Sequence, residues 1–176
     1  MQTVEEPGLT FGYFPTEELF KVEESNLYQS IRNQGVRCVE FLWYQTAKCH
    51  LWVVEAKNTC PRDDEIEGLC EKLINGFNLT MALALGSHAT YQHELPQAFN
   101  SESLCLKEVK FIIVRAQEPK YAYKEAPQLI EDKLIKRMRL FLKTWGLKPT
   151  SVKVLSAIKA KKQGLPIISN NPAPPQ

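Results

Sequence analysis

The sequence predicts a mixed α/β domain, a central β-sheet with helices packed on its faces. Three observations predict it. Residues 36–44 and 50–57 are apolar runs joined by the polar segment 45–49, which reads as a hairpin of buried strands. Ile66, Leu69, Cys70, Leu73, Ile74, Phe77, Met81 and Leu85 recur at helical spacing, as do Leu134, Met138, Phe141, Leu142 and Trp145 further on. Between these helical stretches, residues 109–116 form another run of buried-strand type, and alternating strands and helices imply a sheet covered on its faces.

In chain order, residues 1–10 read as a loose leader overlapping an extended segment at Leu9–Phe14. Thr16-Glu17-Glu18 suits a cap or turn, and Phe20-Lys21-Val22-Glu23 a strand or helix end. Residues 26–33 form a short amphipathic stretch stopped by Asn33-Gln34-Gly35. After the hairpin, Asp63, Asp64, Glu65 and Glu67 suit the positive end of a helix dipole, and Gly86 a C-cap. Residues 87–107 are a polar connector. The second helix spans 126–145, with Pro127 in its first turn and Gly146 past its end. Residues 152–158 are the final strand. Residues 1–168 thus form a single domain, and 169–176 a disordered tail rich in Pro and Asn.

A chain of 176 residues is long enough to bury its own core. It has no apolar run long enough for a membrane span, and its acidic start does not resemble a signal peptide, so a cytoplasmic location without membrane association is expected. The five cysteines are odd in number and lack Cys-x-x-Cys spacing; Cys38, Cys70 and Cys105 sit among apolar neighbours, as reduced buried thiols do. The formal charge of +2 hides an asymmetry. Residues 1–106 hold 7 Lys/Arg against 15 Asp/Glu, and residues 107–176 hold 15 against 5, giving −8 and +10. An acidic half for cations and a basic half for phosphates suit a metal-dependent protein acting on nucleic acid; mutual attraction of the halves is the plainer account.

The hairpin carries the candidate site. Glu40 interrupts the first run, and Glu55 and Lys57 end the second, where unpaired charge is costly. Glu55 and Lys57 share one face by strand alternation. Glu40 joins them only if it pairs with residue 55 or 57, which demands an unbulged connector of even length such as residues 46–49. Two carboxylates and the Ala56 carbonyl would make a hard oxygen site for Mg2+ or Mn2+, with Lys57 beside an attacking water. Glu-x-Lys occurs four times, at Glu55–Lys57, Glu108–Lys110, Glu118–Lys120 and Glu131–Lys133. Exposed ion pairs explain the last three, and only the first ends a buried strand.

An acid on the preceding strand, then Glu-x-Lys, a long helix and a further strand resemble the PD-(D/E)XK nuclease superfamily, with its restriction-endonuclease-like αβββαβ core. The resemblance covers roughly residues 20–115, with a C-terminal helix and strand added. It implies metal-dependent hydrolysis of DNA phosphodiester bonds, with Glu40 and Glu55 holding the cation and Lys57 assisting the water. It also implies an upstream metal ligand, Glu23, with Glu24 and Glu18 as alternatives. Glutamate stands where the superfamily usually has aspartate, and no proline precedes it. The alternatives are an inactive binding protein of the same fold, or a scaffold in which Lys57 forms a buried ion pair with Glu40 or Glu55.

Lys133, Lys136, Arg137, Lys143, Lys159, Lys161 and Lys162 are candidates for binding a DNA backbone, or else a solvated face. A protein partner or a homodimer is left open. His88 and His93 read as solvated loop residues, and Trp43, Trp52 and Trp145 as core. No P-loop, Gly-x-Ser-x-Gly or zinc-finger spacing is present.

Overall fold

The computed structural model describes residues 1–6, 8–100, 104–116 and 127–170. A small antiparallel sheet joins β1 (Gln2–Glu6), β2 (Leu9–Phe14) and β8 (Ile167–Asn170) in that order. The main sheet runs β3 (Leu19–Phe20), β4 (Phe41–Gln45), β5 (His50–Lys57), β6 (Glu108–Arg115) and β7 (Val152–Ser156). β3, β4 and β5 pair antiparallel, while β5, β6 and β7 pair parallel. The expected mixed α/β architecture is present.

Parallel neighbours need crossover connections, and helices supply them. The 19 residues of α2 (Ile66–Ala84) follow β5, and the 18 residues of α3 (Pro127–Thr144) precede β7. The short α1 (Asn26–Ile31) lies between β3 and β4, and α4 (Ala157–Lys162) follows β7 directly. Gly86 and Gly146, at φ of 78° and 63°, close the two long helices in the left-handed conformation that stops a helix.

Strand alternation divides the core in two. Leu42, Tyr44, Leu51, Val53, Phe111 and Ile113 face α2 and α3, packing on Leu73, Phe77, Leu134 and Met138. Phe41, Trp43, Trp52, Val54, Ile112 and Val114 face the other way, onto the small sheet and α4. The Trp43 and Trp52 rings stack 5.9 Å apart within this second layer. Burial on both faces explains why the strands read as continuous apolar runs.

Several expectations need correction. Residues 2–6 are not a loose leader: buried Val4 anchors β1 beside β2. The chain does not end its regular structure near 158, because residues 157–162 turn into α4 and β8 then returns to pair with β2. β8 includes Ser169 and Asn170, which the sequence assigns to the tail; 171–176 lie outside the described residues. The first hairpin strand begins at Phe41 rather than 36. Cys105 is exposed, and Trp145 is 42% exposed with its ring set edgewise on Phe77.

The other Glu-x-Lys pairs differ in detail. Glu108 and Lys110 form a partly exposed pair at 3.2 Å, as expected. Glu131 is instead buried, accepting from the Val154 N–H at 2.9 Å and pairing with Lys153 on β7. Residues 118–120 lie outside the described residues. Among the described residues no helix is long and apolar enough to cross a membrane.

Candidate functional site

The hairpin connector contains four residues, 46–49, because Gln45 pairs with His50 and the register runs without a break to Phe41 opposite Val54. Continued one step, that register would set Glu40 opposite Glu55, and Lys72 Nζ contacts both carboxylates. The geometric condition set by the sequence is therefore met: Glu40, Glu55 and Lys57 share the face covered by α2. Glu55 is fully buried, and its Oε2 has no hydrogen-bond partner. The Lys57 carbonyl accepts from the N–H of Ala116, just past β6, at 2.8 Å. By alternation the Ala56 carbonyl points away from β6, toward the side of the chain that leads into β4.

α2 brings a cation that the sequence reading did not anticipate. Lys72 Nζ lies 2.8 Å from Glu55 Oε1, 3.7 Å from Glu40 Oε1 and 3.9 Å from Glu23 Oε1. Lys57 Nζ stands further off, at 3.9 Å from Glu55 and 3.8 Å from Glu65. The main partner of the buried glutamate is thus Lys72. Its sequence signal was present but unused: Lys72 interrupts the apolar face of α2 between Cys70 and Leu73. Gly76, one turn on, lets α2 approach the hairpin, since a Cβ there would come within 2.4 Å of Val39 Cγ2, beside Glu40.

Glu23 comes from the one-turn 3-10 helix at Val22–Glu24, ahead of α1. The two alternatives are engaged elsewhere. Glu24 pairs with Lys21, and Glu18 accepts from Trp43 Nε1 and from Thr46. A further acid, Glu6 at the end of β1, reaches the same cluster and shares a hydrogen bond with Glu40.

Crowding and burial act together on these groups. Burial, then the neighbouring Glu40, raises the Glu6 carboxyl to about 8. Burial raises Glu55 to about 7, although Lys72 opposes it. Glu23 is raised by burial and by Glu40. Burial disfavours the Lys72 ammonium, but Glu55, Glu40 and Glu23 outweigh it and raise its pKa. For each acid burial is the largest cause and the crowding of carboxylates adds to it, while the same acids keep the Lys72 ammonium charged.

Among the described residues, no group of three or more His, Cys, Asp or Glu side chains is arranged to hold a metal ion as it stands. The donor chemistry nonetheless suits a hard cation, with carboxylate oxygens, one of them buried and unpartnered, and a backbone carbonyl. The ammonium of Lys72 fills the position between the carboxylates. An open pocket of about 190 Å³ adjoins it, walled by Arg37, Lys57, Lys72, Asp64 and Glu65, with Gly68 and Leu69 of α2.

The basic residues divide between two faces. Lys136, Arg137 and Lys143 are exposed on α3, and Lys133 binds Asp63 at 2.7 Å near the pocket. Lys159, Lys161 and Lys162 are exposed on α4, which packs on the opposite layer of the sheet. The two groups of basic residues therefore lie on opposite sides of the main sheet. His88 and His93 are exposed, as expected. Comparison with known protein families, curated proteins and solved structures gives no match.

Proposed function

We propose that this chain is a metal-dependent phosphodiesterase acting on DNA, with the nuclease-like hairpin site that its sequence resembles. The observation that carries the reading is the convergence of Glu40, buried Glu55 and Lys57 on one sheet face, with an unpartnered carboxylate oxygen. Glu40, Glu55 and the Ala56 carbonyl, with Glu23 beside them, would hold Mg2+ or Mn2+. When bound, such a cation lowers the pKa of a coordinated water and offsets phosphodiester charge. Lys57 lies on the same face, where its ammonium orients a water and stabilises charge developing on phosphate oxygens. α3 presents Lys136, Arg137 and Lys143 to guide the backbone.

The element order departs from the superfamily in one respect: α1 falls between β3 and β4 rather than before the first core strand. Nicking of supercoiled plasmid in Mg2+ or Mn2+ tests the activity. Wild type should cut, and Glu55→Gln and Lys57→Ala should each lose at least ~100-fold while retaining wild-type circular dichroism, the scale of removing a positioned catalytic group. Cutting that survives Glu55→Gln, or no cutting by wild type in either metal, sinks the proposal.

The 2.8 Å contact between Lys72 and Glu55 favours a second reading, in which the cluster is a structural ion-pair network and the fold only binds. That reading predicts salt-sensitive DNA binding without cleavage.

A further inference from the structure

The pocket at the start of α2 and the carboxylate cluster share one side chain, Lys72. With its ammonium set among the acids, both lysines facing the pocket are engaged. Lys72 serves Glu55, Glu40 and Glu23, and Lys57 lies between Glu55 and Glu65. The acids on the pocket wall are turned toward Arg62. Glu65 accepts from its backbone N–H at 2.8 Å, and Asp64 lies 3.5 Å from its Nη2. Arg37 is exposed and lies against bare backbone at Gly68, where a Cβ would meet its Nη1 at 2.6 Å.

We propose that this pocket is a phosphate subsite, formed by Arg37, Lys57 and Lys72, and that it becomes competent when a divalent cation replaces the Lys72 ammonium among Glu23, Glu40 and Glu55. The proposal rests on the metal-dependent reading above and assigns what else that site binds. A dication brings twice the charge of the ammonium it displaces. The released ammonium already lines the pocket, and Lys57 is drawn less strongly toward Glu55. An anion that engages both lysines in turn vacates the carboxylates for the cation. Cation and phosphate therefore strengthen each other's binding, reciprocally. The planar fork of Arg37 supplies paired donors suited to phosphate oxygens, and the absence of a side chain at Gly68 leaves the room it occupies.

Mn2+ binding, read from the electron paramagnetic resonance signal of the free ion, tests this with no recourse to cleavage. Inorganic phosphate should tighten Mn2+ binding to wild type by about tenfold, within the usual range for coupled sites. Lys72→Met should bind Mn2+ more tightly than wild type without phosphate and show little further gain with it. Arg37→Gln and Gly68→Ala, both at exposed or flexible contacts that leave the core intact, should keep wild-type Mn2+ affinity and lose the phosphate effect. A thymidine dinucleotide with a 5′-phosphate, compared with one lacking it, separates a terminal phosphate from the internal diester as the source. A phosphate effect unchanged in Arg37→Gln and Gly68→Ala overturns the subsite and leaves the functional reading standing. Failure of wild type to bind Mn2+ at all overturns both.

Discussion

At the scale of single residues, Lys72 and Glu6 decide how the acidic cluster responds to pH. A carboxyl whose folded pKa is raised binds its proton more tightly when folded, so its contribution to stability is greatest below the unfolded value of 4.5 and is lost as pH rises through the folded value. With Glu55 at about 7 and Glu6 at about 8, stability should fall between pH 4.5 and pH 8 on their account. Denaturant melts across that range check the sign, and stability rising through it would contradict the assignment. Glu6→Gln keeps the side-chain shape without the charge, so it should stabilise the protein at pH 8 and have little effect at pH 4.5. Lys72→Met should act in the opposite sense. It leaves Glu55 buried without its nearest cation and should cost about 3–5 kcal/mol at pH 8, the usual penalty for stranding one member of a buried pair. The loss should shrink at pH 5, where Glu55 can carry a proton. A pH-independent loss would show that Lys72 matters through its packing alone.

Elements position these residues, and a helix glycine is the most exacting part. Replacing Gly76 by Ala improves helix propensity by about 1 kcal/mol. The added Cβ, however, would press on fully buried Val39 at 2.4 Å. Overpacking of this kind costs about 1–3 kcal/mol, so Gly76→Ala should destabilise, and a rise in the urea midpoint would refute the close approach. At Gly68 the contact is the far end of exposed Arg37, which can move aside, so Ala there should be neutral or slightly stabilising. The hairpin register was legible in the sequence because two long apolar runs and a four-residue connector leave little choice of pairing. β1 and β8 were not, because each is short and owes its strand form to pairing with β2 rather than to its own pattern. Lys72 was overlooked for a related reason: sequence spacing places it on α2 but cannot show which strand residues lie beneath it. Glu6 is separated from Glu40 by more than thirty residues of chain and by a different sheet.

For the whole molecule, the separation of basic residues onto two faces turns the charge asymmetry into a directional claim. If DNA is led across α3 to the hairpin, Lys136→Glu, Arg137→Glu and Lys143→Glu combined should weaken DNA binding strongly. Loss of three phosphate contacts should lower the slope of log affinity against log salt by about 2.7. The same reversal at Lys159, Lys161 and Lys162 should change affinity far less, since α4 covers the other layer. Fluorescence anisotropy over a salt series distinguishes the faces, and equal losses from both triples would remove α3 as the guide. Here the sequence supplied the sign and amount of charge, while chain reversal after β7 determined where it lies.

The small sheet has a consequence for the order of assembly. β2 is flanked by β1, which directly precedes it in the chain, and by β8, which follows it some 150 residues later. During synthesis, domains build from the N-terminal side, so β2 must wait with one edge unpaired until the end of the described chain emerges. Glu6 ends the strand beside it. The acidic cluster that binds the hairpin, α2 and β1 together thus acquires its outermost member in a structure that remains open until late, so the newly made chain carries its hairpin and helix well before it carries a closed site.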